Sequence, residues 1–134
     1  MADKIKFELV SPERLLMSTR ADLVVVPGTE GDFGAMAGHM PLVATIRPGI
    51  VEVHDGDLVT RLFVRGGLAE VSRTSLTILA EEAIALADVE LADLEQQLRN
   101  IQEDINDARD AQARAAAEAA YQHLKQVRDA KAAA

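Results

Sequence analysis

No cysteine occurs in this 134-residue chain, which removes disulfides, thiolate metal centres and cysteine nucleophiles. Tryptophan is absent as well, and three phenylalanines and one tyrosine are the whole aromatic complement. With 22 acidic residues against 14 basic ones, a net charge of -8, the chain lacks the cations that neutralise phosphates and the rings that stack on bases. A nucleic-acid partner is therefore not expected. Long apolar runs are missing too. The longest run of branched aliphatic residues, Leu23 to Val26, stops at Pro27, and no apolar segment follows the N-terminal Met-Ala-Asp-Lys-Ile-Lys, so neither an export signal nor a membrane span is expected. The last absence is local: all 8 glycines and all 4 prolines lie within the first 67 residues, ending at Gly67 and Pro48. Glycine supplies the positive φ of tight turns and proline cannot continue a helix, so the front half must turn often and the back half need not turn at all.

In the front half the apolar period is two. Ile5, Phe7 and Leu9 alternate with Lys4, Lys6 and Glu8, and short strands of the same kind are expected at 15–19, 21–26, 42–46, 50–54, 58–65, 68–72 and 75–80. Pro27-Gly28, Pro48-Gly49, Asp55-Gly56 and Gly66-Gly67 punctuate them. Many short strands at close spacing predict an all-β sandwich or barrel over residues 1–87.

Residues 88–134 switch to helical spacing. Leu91, Leu94, Leu98, Ile101, Ile105 and Ala108 step by 3, 4, 3, 4 and 3, and Ala113, Ala117, Ala120, Leu124 and Val127 form a second, mostly small seam. Large side chains on one seam and small ones on the other suit an antiparallel α-helical hairpin with its turn near 106–110, where Asp107 or Asp110 would cap the second helix. One uninterrupted helix is the alternative, since neither glycine nor proline marks a break, although it would leave an apolar seam exposed.

The chemical inventory is short. His39, His54 and His123 have no His-x-His or His-Glu-x-x-His neighbourhood, so no metal site is expected. Gly28, Gly31 and Gly34 lack the Lys-Ser/Thr of a phosphate loop and read as turn residues. Asp32-Phe33-Gly34 matches a kinase tripeptide without the fold or the His-Arg-Asp loop to use it. Glu30 and Asp32 are the carboxylates a small hydrolase would use, and no proton-transfer partner accompanies them in sequence. These residues favour a binding or structural protein, with no catalytic residue and no cofactor.

The segment Pro27 to Val51 carries more. Its Glu-Gly-x-x-Gly-x-x-x-Gly-His-x-Pro-Leu pattern, with Gly66-Gly67-Leu68-Ala69-Glu70-Val71 and Leu76-Thr77-Ile78-Leu79-Ala80 after it, closely resembles the epsilon subunit of bacterial F-type ATP synthases, called delta in mitochondria. The resemblance covers the whole chain. It implies a ten-stranded sandwich with a C-terminal helix hairpin, and a non-catalytic rotor part that joins the gamma shaft to the c-ring, coupling proton transport to ATP synthesis. It implies a peripheral place on the cytoplasmic face of the bacterial inner membrane. Asp32 and His39 match residues that face the polar loops of the c-ring, while for His39 a bond to a neighbouring loop carbonyl is the alternative. In some members the hairpin extends to block ATP hydrolysis, reaching the beta and alpha subunits. Here Arg114, Lys125 and Arg128 read as one basic stripe opposite the alanine seam, suited to an acidic segment of beta. ATP-binding members carry an arginine where this chain has Asp93, and a carboxylate there would repel a nucleotide. A non-catalytic β-sandwich adaptor whose helical tail docks another coiled coil is the alternative; it accounts for the periodicities but not for the glycine-rich segment.

Overall fold

The computed structural model describes residues 3–133, and the chain divides into two compact units at Ala85/Leu86. The first unit holds ten strands: β1 (Ile5–Val10), β2 (Leu15–Ala21), β3 (Leu23–Gly28), β4 (Gly31–Ala35), β5 (Leu42–Ile46), β6 (Gly49–Asp55), β7 (Leu58–Val64), β8 (Gly67–Val71), β9 (Ser75–Ala80) and β10 (Ala83–Ala85). They follow the order β10-β7-β6-β3-β5-β8-β9-β1-β2, with β4 paired to β3, and of these pairings only β1 with β9 is parallel. The period-two pattern decides which side chains face inward. Ile5, Phe7 and Leu9 are fully buried while Lys4 and Lys6 are exposed, and Val24, Val26, Val51, Val64, Leu76 and Ile78 complete the interior from other strands. Each such burial contributes about 1.5–3 kcal/mol relative to exposure. Among the described residues no polar side chain is buried.

Two strands escape the sequence pattern. Gly31–Ala35 has two glycines in five residues and no apolar alternation, yet it forms β4 because β3 offers it an antiparallel edge from Val24 to Gly28. Ala83–Ala85 is three residues long and forms β10 by pairing with Leu62 to Val64 on β7.

The second unit opens with a single 3₁₀ turn, Leu86–Asp88, followed by α1 (Leu91–Asp107) and α2 (Ala111–Ala133) packed as an antiparallel hairpin. The uninterrupted-helix alternative fails at Ala108, whose ψ of 130° is extended. Asp110 then starts α2: its Oδ1 accepts the Ala113 N–H at 2.7 Å, supplying one of the bonds that a helix start otherwise lacks. Neither glycine nor proline was needed, because a side-chain cap did the work.

The α1 seam holds for most of its length. Leu94, Leu98 and Ile105 are buried, Ile101 and Ala108 half-buried, and Leu91 is left 38% exposed. On α2 the inward stripe lies to one side of the expected one. Ala113 and Ala120 are exposed, whereas Ala117, Tyr121, Leu124, Arg128 and Lys131 are half-buried at steps of 4, 3, 4 and 3. Polar reach settles the stripe: Arg128 Nη1 meets Glu95 Oε1 of α1 at 3.2 Å, and Lys131 Nζ donates to the Leu86 carbonyl at 2.8 Å. Tyr121 fills the place assigned to Ala120, since the ring covers area that a methyl cannot. Val127 is fully buried.

Candidate functional site

The glycine-rich segment folds as the β3–β4 hairpin followed by a turn at 36–40. Gly28 pairs with Gly31 across the hairpin tip, leaving Thr29 and Glu30 exposed between them. The tip requires both glycines. A Cβ on Gly28 would lie 2.6 Å from the Gly31 carbonyl oxygen, and Gly31 has a φ of 137°. The end of β5 straps this tip down: Thr29 donates to the Thr45 carbonyl from its N–H and from its hydroxyl, each at 3.0 Å, and the Arg47 N–H donates to the Pro27 carbonyl at 3.0 Å.

Asp32 sits beside the tip with its side chain 56% exposed, and its Oδ1 meets Arg47 Nη2 at 2.6 Å. The same guanidinium donates through Nη1 to the Gly28 carbonyl at 3.1 Å. Arg47 therefore joins the carboxylate to the backbone of the turn, a role the sequence did not disclose because 15 residues separate the two positions. A bidentate-capable cation fixes a carboxylate's direction better than a lysine would.

His39 has its own set of contacts. Its Nδ1 lies 2.6 Å from the Met40 carbonyl oxygen, which can only accept, so the proton is on Nδ1. This is the local bond expected as the alternative role. The ring also packs against Phe33, with centroids 6.5 Å apart and planes at 41°. Neighbouring residues on a strand point to opposite faces, so Asp32 and Phe33 diverge, and the structure records no contact between Asp32 and His39. The Gly38 N–H donates to the Arg73 carbonyl at 2.7 Å and the His39 N–H to the Met36 carbonyl at 3.0 Å, which fastens the turn that carries the histidine.

One surface feature became visible only through strand register. Leu68 pairs with Leu79, Leu79 with Val10 and Val10 with Leu15, so an apolar row crosses the outer face of four adjoining strands, β8, β9, β1 and β2, with Thr45 of β5 at its end. Leu15 and Leu79 in that row are 54% and 45% exposed.

On the hairpin the basic residues do not form one free stripe. Arg114 and Lys125 are exposed, with Arg114 Nε 3.3 Å from Glu118 Oε1. Arg128 is turned toward α1. It falls about 20° around the helix from Ala117 at 100° per residue, well inside the inward face, and pairs with Asp129 and Glu95. Those hydrogen bonds, Asp129 first and Glu95 second, raise its pKa further above the ordinary arginine value. Asp93 is exposed in the first turn of α1, where a carboxylate complements the partial positive charge of the helix start. No helix among the described residues is long and apolar enough to cross a membrane.

Known proteins resemble this chain in sequence and in fold. Residues 4–86 match the family described as ATP synthase, Delta/Epsilon chain, beta-sandwich domain. The ATP synthase epsilon chain of Parvibaculum lavamentivorans is 48% identical over 129 residues, covering 96% of this chain and 98% of that protein. That of Maricaulis maris is 48% identical over 130 residues, covering 95% and 98%. Among solved structures, a chain in the Euglena gracilis mitochondrial ATP synthase (OSCP/F1/c-ring, rotational state 1) has the same fold, with a TM-score of 0.79 at 23% identity over 97% of this chain and 82% of that one. Sequence identity over nearly the whole length, reaching past the sandwich into both helices, separates this from a free-standing adaptor: the chain belongs to the ATP synthase epsilon chain family, the non-catalytic stalk subunit of that complex.

Proposed function

We propose that the first unit seats the foot of the gamma shaft on the c-ring, with Asp32 and His39 facing the polar loops of the ring, and that the helix hairpin regulates the complex without taking part in torque transfer. One observation carries this reading: an exposed carboxylate stands at a hairpin tip strapped to β5 through Arg47, Thr29 and Thr45. A contact that passes torque must not yield, and a tip fastened at several points meets that need better than a free loop. The apolar row through Leu15, Val10, Leu79 and Leu68 is the face assigned to gamma, since covering exposed apolar area is what holds subunits together.

The regulatory half of the proposal has a definite starting state. Extension of the hairpin toward beta and alpha breaks the Arg128–Glu95 and Lys131–Leu86 links, so Arg128 reaches an acidic segment of beta only after opening, while Arg114 and Lys125 are exposed before it. Asp93 argues against a nucleotide that would hold the hairpin shut. In this reading the subunit lies peripherally, on the cytoplasmic side of the bacterial membrane.

The test is the double substitution Asp32→Ala/His39→Ala in the assembled synthase. Both are surface changes, and the ion pair lost is an exposed one, so the melting temperature of the subunit should barely move, the cost being below about 1 kcal/mol. Proton-driven ATP synthesis in membranes should fall while ATP hydrolysis by the head persists. Unchanged synthesis, or unfolding of the subunit, would overturn the assignment.

A further inference from the structure

One surface of the first unit runs against the charge of the chain. Through Ala85 the sequence has eight basic and twelve acidic residues, yet Lys4, Lys6, Arg20 and Arg73 line a single open cleft in which Asp3 is the one acidic residue. Strand register forces them together. Lys6 on β1 is directly paired with Arg20 on β2, a cross-strand like-charge pair of the kind that destabilises a sheet. The turn before β9 completes the wall: the Lys6 N–H donates to the Thr74 carbonyl at 3.0 Å, and Arg73 lies in the same turn.

Local carboxylates relieve only part of this repulsion. Lys4 is paired with Asp55, whose hydrogen bond raises the pKa of the ammonium, and Lys6 with Glu8 at 3.4 Å. Arg20 and Arg73 form no ion pair among the described residues. Two unengaged guanidinium forks beside an exposed lysine and a threonine hydroxyl fit the oxygens of a phosphate. The cleft also has an apolar flank: Met36 on its wall is 51% exposed, and Met40 in the same turn 73%. A small soluble anion gains nothing from exposed methionines, whereas a lipid headgroup brings apolar chains with its charge.

We propose that this cleft binds a phosphate group, carried by an anionic phospholipid. The proposed function enters only in explaining how the cleft would meet a bilayer, because its wall includes the turn before His39; the binding itself is a property of the chain alone. The chemistry is shared with free phosphate, and the experiment separates the two. The full chain is sedimented with vesicles of phosphatidylglycerol and of phosphatidylcholine, and inorganic phosphate is titrated while the amide resonances of Thr74 and Ser75 are followed. Retention by phosphatidylglycerol alone, weakening as salt rises, is expected. Arg20→Ala/Arg73→Ala should weaken it about 25-fold, whereas Arg61→Ala/Arg65→Ala, which removes the same charge elsewhere, should change it by less than about threefold. Arg20→Lys/Arg73→Lys should keep it, which guards against a loss caused by misfolding. Amide shifts with phosphate but no vesicle retention would confirm the phosphate site and replace the lipid by the free anion. Binding to neither probe, or equal loss in the two alanine pairs, overturns the proposal. Because no other subunit is present, failure here is distinct from failure of Asp32 and His39 to support coupling.

Discussion

Gly67→Ala should unfold the sandwich far more than its size suggests. Gly67 begins β8 and is paired on both sides, with Ile46 of β5 and Ala80 of β9. Its φ is 141°, and an added Cβ would sit 2.0 Å from the Leu79 carbonyl oxygen and 3.0 Å from Ala80 Cα, both backbone atoms that no rotamer can move aside. The neighbouring strand must retreat by about an ångström, which sacrifices roughly two ladder hydrogen bonds at about 1 kcal/mol each, and the positive φ adds about 1–2 kcal/mol. A loss of about 3–4 kcal/mol is expected, a large share of the roughly 5–15 kcal/mol that holds such a domain. Gly56→Ala is the control. Gly56 has a φ of 61° with nothing within 4 Å of the added carbon, so only the backbone term of about 1–2 kcal/mol applies. Urea unfolding of the full chain, followed through the strand signal in circular dichroism, compares the two. Equal losses, or a Gly67→Ala loss below about 1 kcal/mol, would refute the steric argument.

Two further outcomes are expected. On α2, Ala117→Leu should overpack the helix contact by about 1–3 kcal/mol and lower hydrogen-exchange protection across Leu91–Asp107 and Ala111–Ala133, while Ala120→Leu, on the exposed side, should stay within about 0.5 kcal/mol. Burial opposes the charge of Glu52, but hydrogen bonds from Arg61 and His54 prevail and hold its pKa below the ordinary 4.5. A carboxylate held low stabilises the fold above pH 4.5 and loses that contribution as pH falls through its folded value, so Glu52→Gln should be less stable at neutral pH, by no more than about 1 kcal/mol, with the gap closing in an acid titration below 4.5.

Strands with a buried face were legible because alternation is a direct imprint of burial: β1 and β9 could be placed from their own residues. Strands recruited by a neighbour were not, since β4 owes its existence to the edge of β3 and two of its five residues are glycine. The helix pair was legible as two seams, but a 3.5-residue period on a run rich in alanine fits several adjacent stripes. Only the large residues Tyr121 and Arg128 choose among them. For the site, the hairpin that carries Asp32 was visible through its glycine pattern. The partner that fixes Asp32 was not, because Arg47 reaches it across strands, and register likewise brings Lys6 and Arg20 together. Contacts made through pairing leave no local signal.

The absence of cysteine makes the central claim directly measurable, since a single cysteine placed at position 32 is unique in the chain. With Asp32→Cys in the assembled synthase and a second cysteine in the polar loop of the c-ring, mild oxidation should link the two subunits in high yield. The linked enzyme should still make ATP, because parts that rotate together are not hindered by being joined. Failure to link at position 32 when control cysteines elsewhere on the sandwich do link, or linkage that halts proton-driven synthesis, would contradict the account.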